Sequence, residues 1–101
     1  MYPEYEAQRV QTTFYTDFTI ADHFGAKAVK DTYNRAFKEW RSDYKYLTEL
    51  VMVLNHKAWH HYSKGNTGLS ELYSDLYYKA NDWAYNNLEG EALDFYFSVT
   101  D

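Results

Sequence analysis

The chain has 101 residues, enough for one compact domain over residues 1–101 and too few for two. Apolar residues make up 46% and charged residues 25%, with 4 Gly and 1 Pro, which excludes a disordered or collagen-like chain. Cys is 0, which excludes disulfides and thiolate catalysis, and the net charge of −5 argues against direct binding to nucleic acid. No apolar run approaches the ~18 residues of a membrane span, and residues 1–6 lack the features of a signal peptide, so we expect a cytoplasmic protein.

The beginning of the chain has a weak pattern. Residues 1–15 contain the single proline and no sustained period, so we expect a loosely held arm or one weak turn of helix. Thr16 or Asp17 is a suitable cap for a short helix that ends at Phe24. Gly25 follows as the residue that stops this helix.

Three long helices are predicted next. Apolar residues at three- and four-residue steps predict an amphipathic helix over 26–41. Ser42 or Asp43 then caps a helix over about 44–63. Apolar residues cover most of the circumference of that helix, so we expect it to be central and the most buried. Thr67 opens the last long helix, in which apolar residues recur in register over five turns.

The segment 91–99 is ambiguous between two structures. Leu93, Phe95 and Phe97 alternate as in a strand, whereas Leu93 and Tyr96 are spaced as in a turn of helix. A lone strand would have no partner here, which favours the helix. The sequence therefore predicts an all-α protein, a small helical bundle of three principal helices plus one or two short helices.

The histidines are candidates for a metal site. His56 and His60 stand four residues apart, the spacing at which one helix presents two imidazoles to zinc. However, the cationic Lys57 follows His56, and Glu49 lies roughly 10 Å away along the helix, too far to join the same ion. We therefore favour ordinary polar roles and expect no metal and no cofactor. His61, on the apolar side, is interpreted as a histidine of the core or its rim.

Signatures of catalysis are absent from the sequence. The serines stand in capping or surface contexts, and none lies in a Gly-x-Ser-x-Gly elbow. The glycines are isolated helix stops rather than a phosphate-binding loop. We therefore predict that the protein is not an enzyme, and we keep a His-based metal-dependent enzyme as the weakest alternative.

Charge is segregated along the chain. Residues 1–25 carry one cation against four carboxylates, a net −3; residues 26–64 carry eight against four, +4; residues 65–101 carry one against seven, −6. Aromatic residues reach 21%, with 12 Tyr, which is more ring surface than a core of this size hides. Because tyrosine combines apolar area with a polar tip, this excess favours a binding surface.

The last long helix carries the candidate binding surface. At about 100° per residue, its carboxylates fall within a band roughly 40° wide on the side opposite its leucines, and two tyrosines flank them. We call this set the acidic ridge: Glu71, Asp75, Tyr78, Asp82, Tyr85 and Glu89. The simpler alternative is a solvated helix face. The local charge and the abundant tyrosines lead us to propose a recognition surface for a protein partner with a basic surface.

The helix over 26–41 carries the opposite sign. Lys27, Lys30, Lys38 and Arg41 lie within roughly an 80° band beside the apolar face, and we call them the basic stripe. Direct nucleic-acid binding through this stripe is disfavoured, because the acidic ridge would repel a duplex. Whether the stripe pairs internally with the ridge or forms a second site is left open.

Three segments carry a resemblance to a known family. The runs DFTIADHFG at 17–25, DTY at 31–33 and YLTELVMVLNHK at 46–57 resemble a family of small uncharacterised helical proteins encoded by phages and mobile elements of gut bacteria. The resemblance implies a biological setting and brings no catalytic residues. Small acidic proteins in that setting are often inhibitors of host defence, anti-CRISPR proteins among them.

These observations predict a non-enzymatic inhibitor that binds protein. In this hypothesis the acidic ridge acts as a DNA mimic and occupies the basic nucleic-acid groove of a host defence nuclease, for example a CRISPR effector. The alternative is a structural or assembly protein of a phage or mobile element that forms homo-oligomers through aromatic contacts at Trp40, Trp59 or 95–97. The sequence leaves the partner and the oligomeric state open.

Overall fold

The computed structural model describes the backbone of residues 4–100 and the side chains of residues 13–100. Within that part the chain forms five helices and no strand, so the predicted all-α class is confirmed. The helices are α1 (Glu4–Phe24), α2 (Ala26–Trp40), α3 (Tyr44–Ser63), α4 (Thr67–Asn87) and α5 (Gly90–Thr100). None of the described helices combines the length and the apolar character that a membrane crossing requires.

The first helix differs from the prediction. A start at Thr16 or Asp17 after a loosely held arm is wrong, because α1 begins at Glu4 and runs for 21 residues. The bundle therefore has four long helices rather than three. Phe14, within the expected arm, is buried in the core, and such tertiary contact stabilises a helix that has a weak period of its own. Residues 1–3 of the expected arm lie outside the described residues.

The helix α3 is the central element, as its apolar circumference predicts. It packs against each of the other four helices. Several of its side chains are completely buried: Leu47, Leu50, Val51 and Leu54. Because every other helix uses α3 as a packing surface, its position sets the arrangement of the bundle.

A short link to α1 and two side-chain contacts with α4 define the position of α2. Gly25 alone links α1 to α2, with a φ of 104° that favours glycine. The ring of Phe37 contacts that of Trp83 at 5.4 Å between centroids, and Lys79 Nζ lies 5.9 Å from the centroid of the Tyr33 ring. Both pairs join residues 46 positions apart, so α2 and α4 run in the same direction in one fixed register.

The segment 91–99 is helical, which confirms the favoured alternative. Tyr96 of α5 is buried, and its hydroxyl donates a hydrogen bond to Asn81 Oδ1 of α4. The ring of Phe97 contacts that of Tyr85 at 5.2 Å. The last helix therefore covers one side of α4 and leaves the side with the carboxylates open.

The start of α3 gives a test of helix capping. Asp43 Oδ1 accepts hydrogen bonds from the backbone N–H groups of Lys45 and Tyr46 at 3.1 and 3.4 Å. We expect Asp43→Ala to lower the free energy of unfolding by about 1 kcal/mol, measured by chemical denaturation, because two N–H groups lose their acceptor. The control is Ser42→Ala, since exposed Ser42 lies outside the cap. An equal loss of stability in both variants contradicts the role of Asp43.

Candidate functional site

The acidic ridge lies on the exposed side of α4. All six of its residues are exposed: Glu71, Asp75, Tyr78, Asp82, Tyr85 and, just after the helix, Glu89. Tyr78 and Tyr85 leave 60% and 50% of their surface in contact with solvent. The buried side of the same helix carries Leu76, Ala80 and Ala84. The five ridge residues of α4 therefore lie on one open side of the helix, and Glu89 is exposed beyond its end.

The basic stripe lies on the neighbouring helix and is also exposed. Lys27 Nζ pairs with Asp31 Oδ2 at 3.0 Å within α2. Among residues 13–100, none of the ion pairs joins the stripe to the ridge. The sequence leaves open whether the stripe pairs with the ridge or forms a second site. Between the described side chains, the stripe does not pair with the ridge.

A buried polar cluster, which sequence analysis missed, lies where α1, α3 and α4 meet. We call Asp22, Lys57, His61 and Tyr73 the Asp22 cluster. Asp22 Oδ2 accepts from Lys57 Nζ at 2.6 Å and from His61 Nε2 at 2.8 Å, and Asp22 Oδ1 accepts from the Tyr73 hydroxyl at 2.5 Å. Lys57 is 2% exposed and His61 is 5% exposed. One carboxylate on α1 thereby holds three donors from two other helices.

Two further residues complete the polar contacts of the cluster. Lys57 Nζ donates to Thr19 Oγ1 at 3.3 Å. The amide Nδ2 of Asn66 lies 3.2 Å from His61 Nδ1. Because His61 Nε2 faces the carboxylate of Asp22, it carries a proton and donates to that oxygen, and Asn66 contacts the other ring nitrogen.

The cluster shifts the ionisation of its members. Burial raises the pKa of Asp22, but hydrogen bonds from Lys57, Tyr73 and His61 and the charge of Lys57 lower it more, so the pKa lies below its ordinary value. Burial, together with the adjacent carboxylate of Asp22, raises the pKa of Tyr73 above its ordinary value. At neutral pH the cluster therefore contains an ionised carboxylate and a neutral phenol.

An open pocket of about 480 Å³ lies beside the Asp22 cluster, with His23, His60 and Leu69 on its walls. The reactive groups next to it are already engaged. Both oxygens of Asp22 accept hydrogen bonds, and the ammonium of Lys57 is held by that carboxylate. The cluster thus acts chemically as an internal ion pair that fastens three helices together.

The histidine pair considered for zinc is divided between two environments. His56 is exposed and lies 5.3 Å from the Tyr15 ring, whereas His60 is half-buried. Burial and the nearby positive charge of Lys57 lower the pKa of His60. Among residues 13–100, no three His, Asp or Glu side chains are grouped so that they could hold a metal ion. His61 lies in the core, as its position on the apolar side predicts.

The aromatic residues considered for assembly also differ in exposure. Trp59 is 64% exposed and contacts exposed Tyr62 at 5.9 Å between ring centroids. By contrast, half-buried Trp40 packs against Tyr46, and Tyr96 is buried. Of these positions, Trp59 is the one that offers a large free apolar surface.

Comparisons with known proteins give no relative on which to base a function. No protein-family model, no curated protein and no solved structure matches the chain. The resemblance to small proteins of phages and mobile elements therefore stays a prediction. The function must be argued from the residues and their geometry.

The buried ion pair predicts that removing its carboxylate lowers stability strongly and that removing its ammonium as well restores most of that stability. We expect Asp22→Asn to lower the free energy of unfolding by about 3–5 kcal/mol, because it leaves the ammonium of Lys57 buried without a carboxylate. Adding Lys57→Met removes the buried charge and should recover most of the loss. The control is Lys27→Met, which breaks an exposed pair with Asp31 and should cost less than about 1 kcal/mol. Urea denaturation measures all three, and no recovery in the double variant contradicts the argument.

The same cluster predicts a dependence of stability on pH. Because folding lowers the pKa of Asp22, the stabilisation is present above the ordinary value of 3.8 and is lost as pH falls through the folded value. We expect the parent to lose stability relative to the Asp22→Asn/Lys57→Met variant as pH is lowered from about 5 to below 3.8. Urea denaturation at several pH values measures this difference. A difference that stays constant over the range contradicts the lowered pKa.

Proposed function

We propose that the protein is a non-enzymatic binding protein whose acidic ridge occupies a basic, nucleic-acid-binding groove on a partner protein. One observation carries the proposal: all six residues of the ridge are exposed, and the five that belong to α4 lie on one side of that helix. Among the described side chains, the basic stripe does not neutralise them. A solvent-exposed row of like charges attracts an oppositely charged surface over a long range.

The length of the row suits a groove that follows a nucleic-acid strand. At 1.5 Å per residue, Glu71 and Asp82 are about 16 Å apart along α4. Successive phosphates on one strand of DNA rise about 3.4 Å along the duplex axis, so the row spans roughly five phosphates. Its carboxylates thus present negative charge along the path on which a basic groove binds phosphates.

The exposed tyrosines supply the contact area that charges alone lack. Tyr78 and Tyr85 flank the carboxylates and are 60% and 50% exposed. Tyrosine is enriched among the residues that contribute most to binding at interfaces, because its ring is large and has few rotatable bonds. In this arrangement the carboxylates speed association and the phenol rings slow dissociation.

The setting of the partner follows from the proposed phage or mobile-element origin. In that setting, a host defence nuclease such as a CRISPR effector carries a basic groove of this kind. The protein would compete with DNA for that groove and would need no catalytic residue of its own. Cytoplasmic location belongs to the same proposal, since the nuclease acts there.

Competition with DNA tests the proposal directly. Purified CRISPR effectors and other DNA-binding nucleases are mixed with labelled DNA, and displacement by the parent protein is followed by electrophoretic mobility shift. We expect Asp75→Lys/Asp82→Lys to weaken displacement at least tenfold, because two carboxylates that contact the groove become cations. Higher salt should weaken displacement by the parent as well.

A matched control separates the ridge from net charge. Asp17→Lys/Glu39→Lys adds the same charge at two exposed positions on the α1 and α2 side of the bundle, away from α4. This variant should displace DNA as well as the parent does. Equal displacement by the ridge variant and the parent, or an affinity that does not respond to salt, would mean that the ridge is not the binding surface.

A further inference from the structure

The acidic ridge and the basic stripe lie side by side on one face of the bundle. The contact between Phe37 and Trp83 forms a seam between α2 and α4. At about 100° per residue, the stripe occupies the exposed side of α2 next to this seam, and the ridge occupies the exposed side of α4. The face formed by these two helices thus presents one positive row and one negative row in parallel, with exposed Lys79 at the seam between them.

The two rows match in height along the helices. The 46-residue offset between α2 and α4 places Lys30 level with position 76, one residue beyond Asp75. The same offset places Lys38 level with position 84, two residues beyond Asp82. At 1.5 Å per residue these differences amount to about 1.5–3 Å, well within the reach of a lysine side chain.

The end of the stripe follows the same register. Arg41 is level with position 87, where α4 ends. Lys27 is level with position 73, between Glu71 and Asp75, and its ammonium also pairs with Asp31 within α2. The three lysines of the stripe therefore each have a carboxylate of the ridge near their own height. The described ion pairs do not join the two rows within one molecule.

We propose that this α2–α4 face binds a second copy of the same chain around a two-fold axis that runs parallel to the helices above the seam. Rotation by 180° about such an axis exchanges the α2 side and the α4 side of the face. It leaves every residue at the same height along the helices. The stripe of each copy then meets the ridge of the other, and the contact occurs twice. A two-fold axis perpendicular to the helices would instead place like charges on one another.

A second copy fits this face better than a simple polyanion or polycation does. A polyanion or a polycation that covers the whole face would meet one row of its own sign. A ligand for the whole face must carry both signs in two parallel rows of matching height, and another copy of the chain supplies that pattern. Half-exposed Phe37 and Trp83 would meet their symmetry mates along the axis.

The inference goes beyond the proposed function and does not depend on it. The first experiment is sedimentation equilibrium of the full chain in about 50 mM and about 500 mM salt, where the screening length differs roughly threefold. We expect a dimer at low salt whose dissociation constant rises at least tenfold at high salt. A chain that remains monomeric at millimolar concentration in low salt would overturn the proposal.

Charge reversal tests the geometry. Lys30→Glu/Lys38→Glu places carboxylates opposite Asp75 and Asp82 of the other copy, and Asp75→Lys/Asp82→Lys places ammonium groups opposite Lys30 and Lys38. Each variant alone should therefore dimerise at least tenfold more weakly than the parent. An equimolar mixture should form a heterodimer, because both substituted pairs then join opposite charges. The variant with all four substitutions reverses both partners of each pair and should dimerise again. Failure of both the mixture and the fourfold variant to associate would overturn the two-row arrangement.

Two controls complete the design. Arg35→Glu/Lys64→Glu changes the net charge as much as the reversed stripe does, at exposed positions away from the face, and should dimerise like the parent. If it does not, net charge rather than the face controls association. Lys30→Glu/Lys38→Glu keeps the ridge, so it should still displace DNA from the partner. Loss of dimerisation and loss of partner binding are therefore distinguishable.

Discussion

One carboxylate, held between three helices, favours the way in which those helices fit together. Asp22 on α1 accepts hydrogen bonds from Lys57 and His61 on α3 and from Tyr73 on α4. Apolar packing between two helices tolerates a shift by one turn, because one leucine replaces another at similar cost. Lys57, which is only 2% exposed, does not tolerate such a shift, since the shift would separate its ammonium from the carboxylate of Asp22. The ion pair thus favours one axial position of α1 among those that the apolar contacts permit.

The axial position of α1 also affects the surface on which the proposed functions depend. Gly25 alone separates α1 from α2, so an axial shift of α1 carries α2 with it. The height of α2 against α4, fixed by the contact of Phe37 with Trp83, in turn sets the basic stripe level with the acidic ridge. The buried ion pair between α1 and α3 and the contact of Phe37 with Trp83 therefore act on the same quantity, the height of the basic stripe.

The parts of this structure that are predictable from sequence are those set by local physics. The bounds of α3 follow from the periodicity and from the cap at Asp43, and the exposed position of the ridge follows from its place opposite the leucines of α4. The start of α1 does not follow, because buried Phe14 contributes through contacts with distant residues. In the sequence, Lys57 enters only as a cation that disfavours a metal ion at His56, although its place one turn after Leu54 on the central helix is a signal of burial. Its partner, 35 positions away, cannot be assigned from sequence spacing, since only the folded chain brings them together.

The ridge serves the proposed partner and the proposed second copy in turn, and the two contacts compete. Exposed ion pairs contribute about 0–1 kcal/mol each, so a dimer built on them is weak and forms mainly where the protein is abundant. In the proposed complex with a nuclease, Tyr78 and Tyr85, which are 60% and 50% exposed in the free chain, would add buried ring area to the ion pairs, so we expect that contact to be the tighter one. Where the dimer predominates, the apparent affinity for the partner falls in proportion to the fraction of free ridge. Self-association would then cover the carboxylates of the ridge, and dilution or a tighter-binding groove would release them.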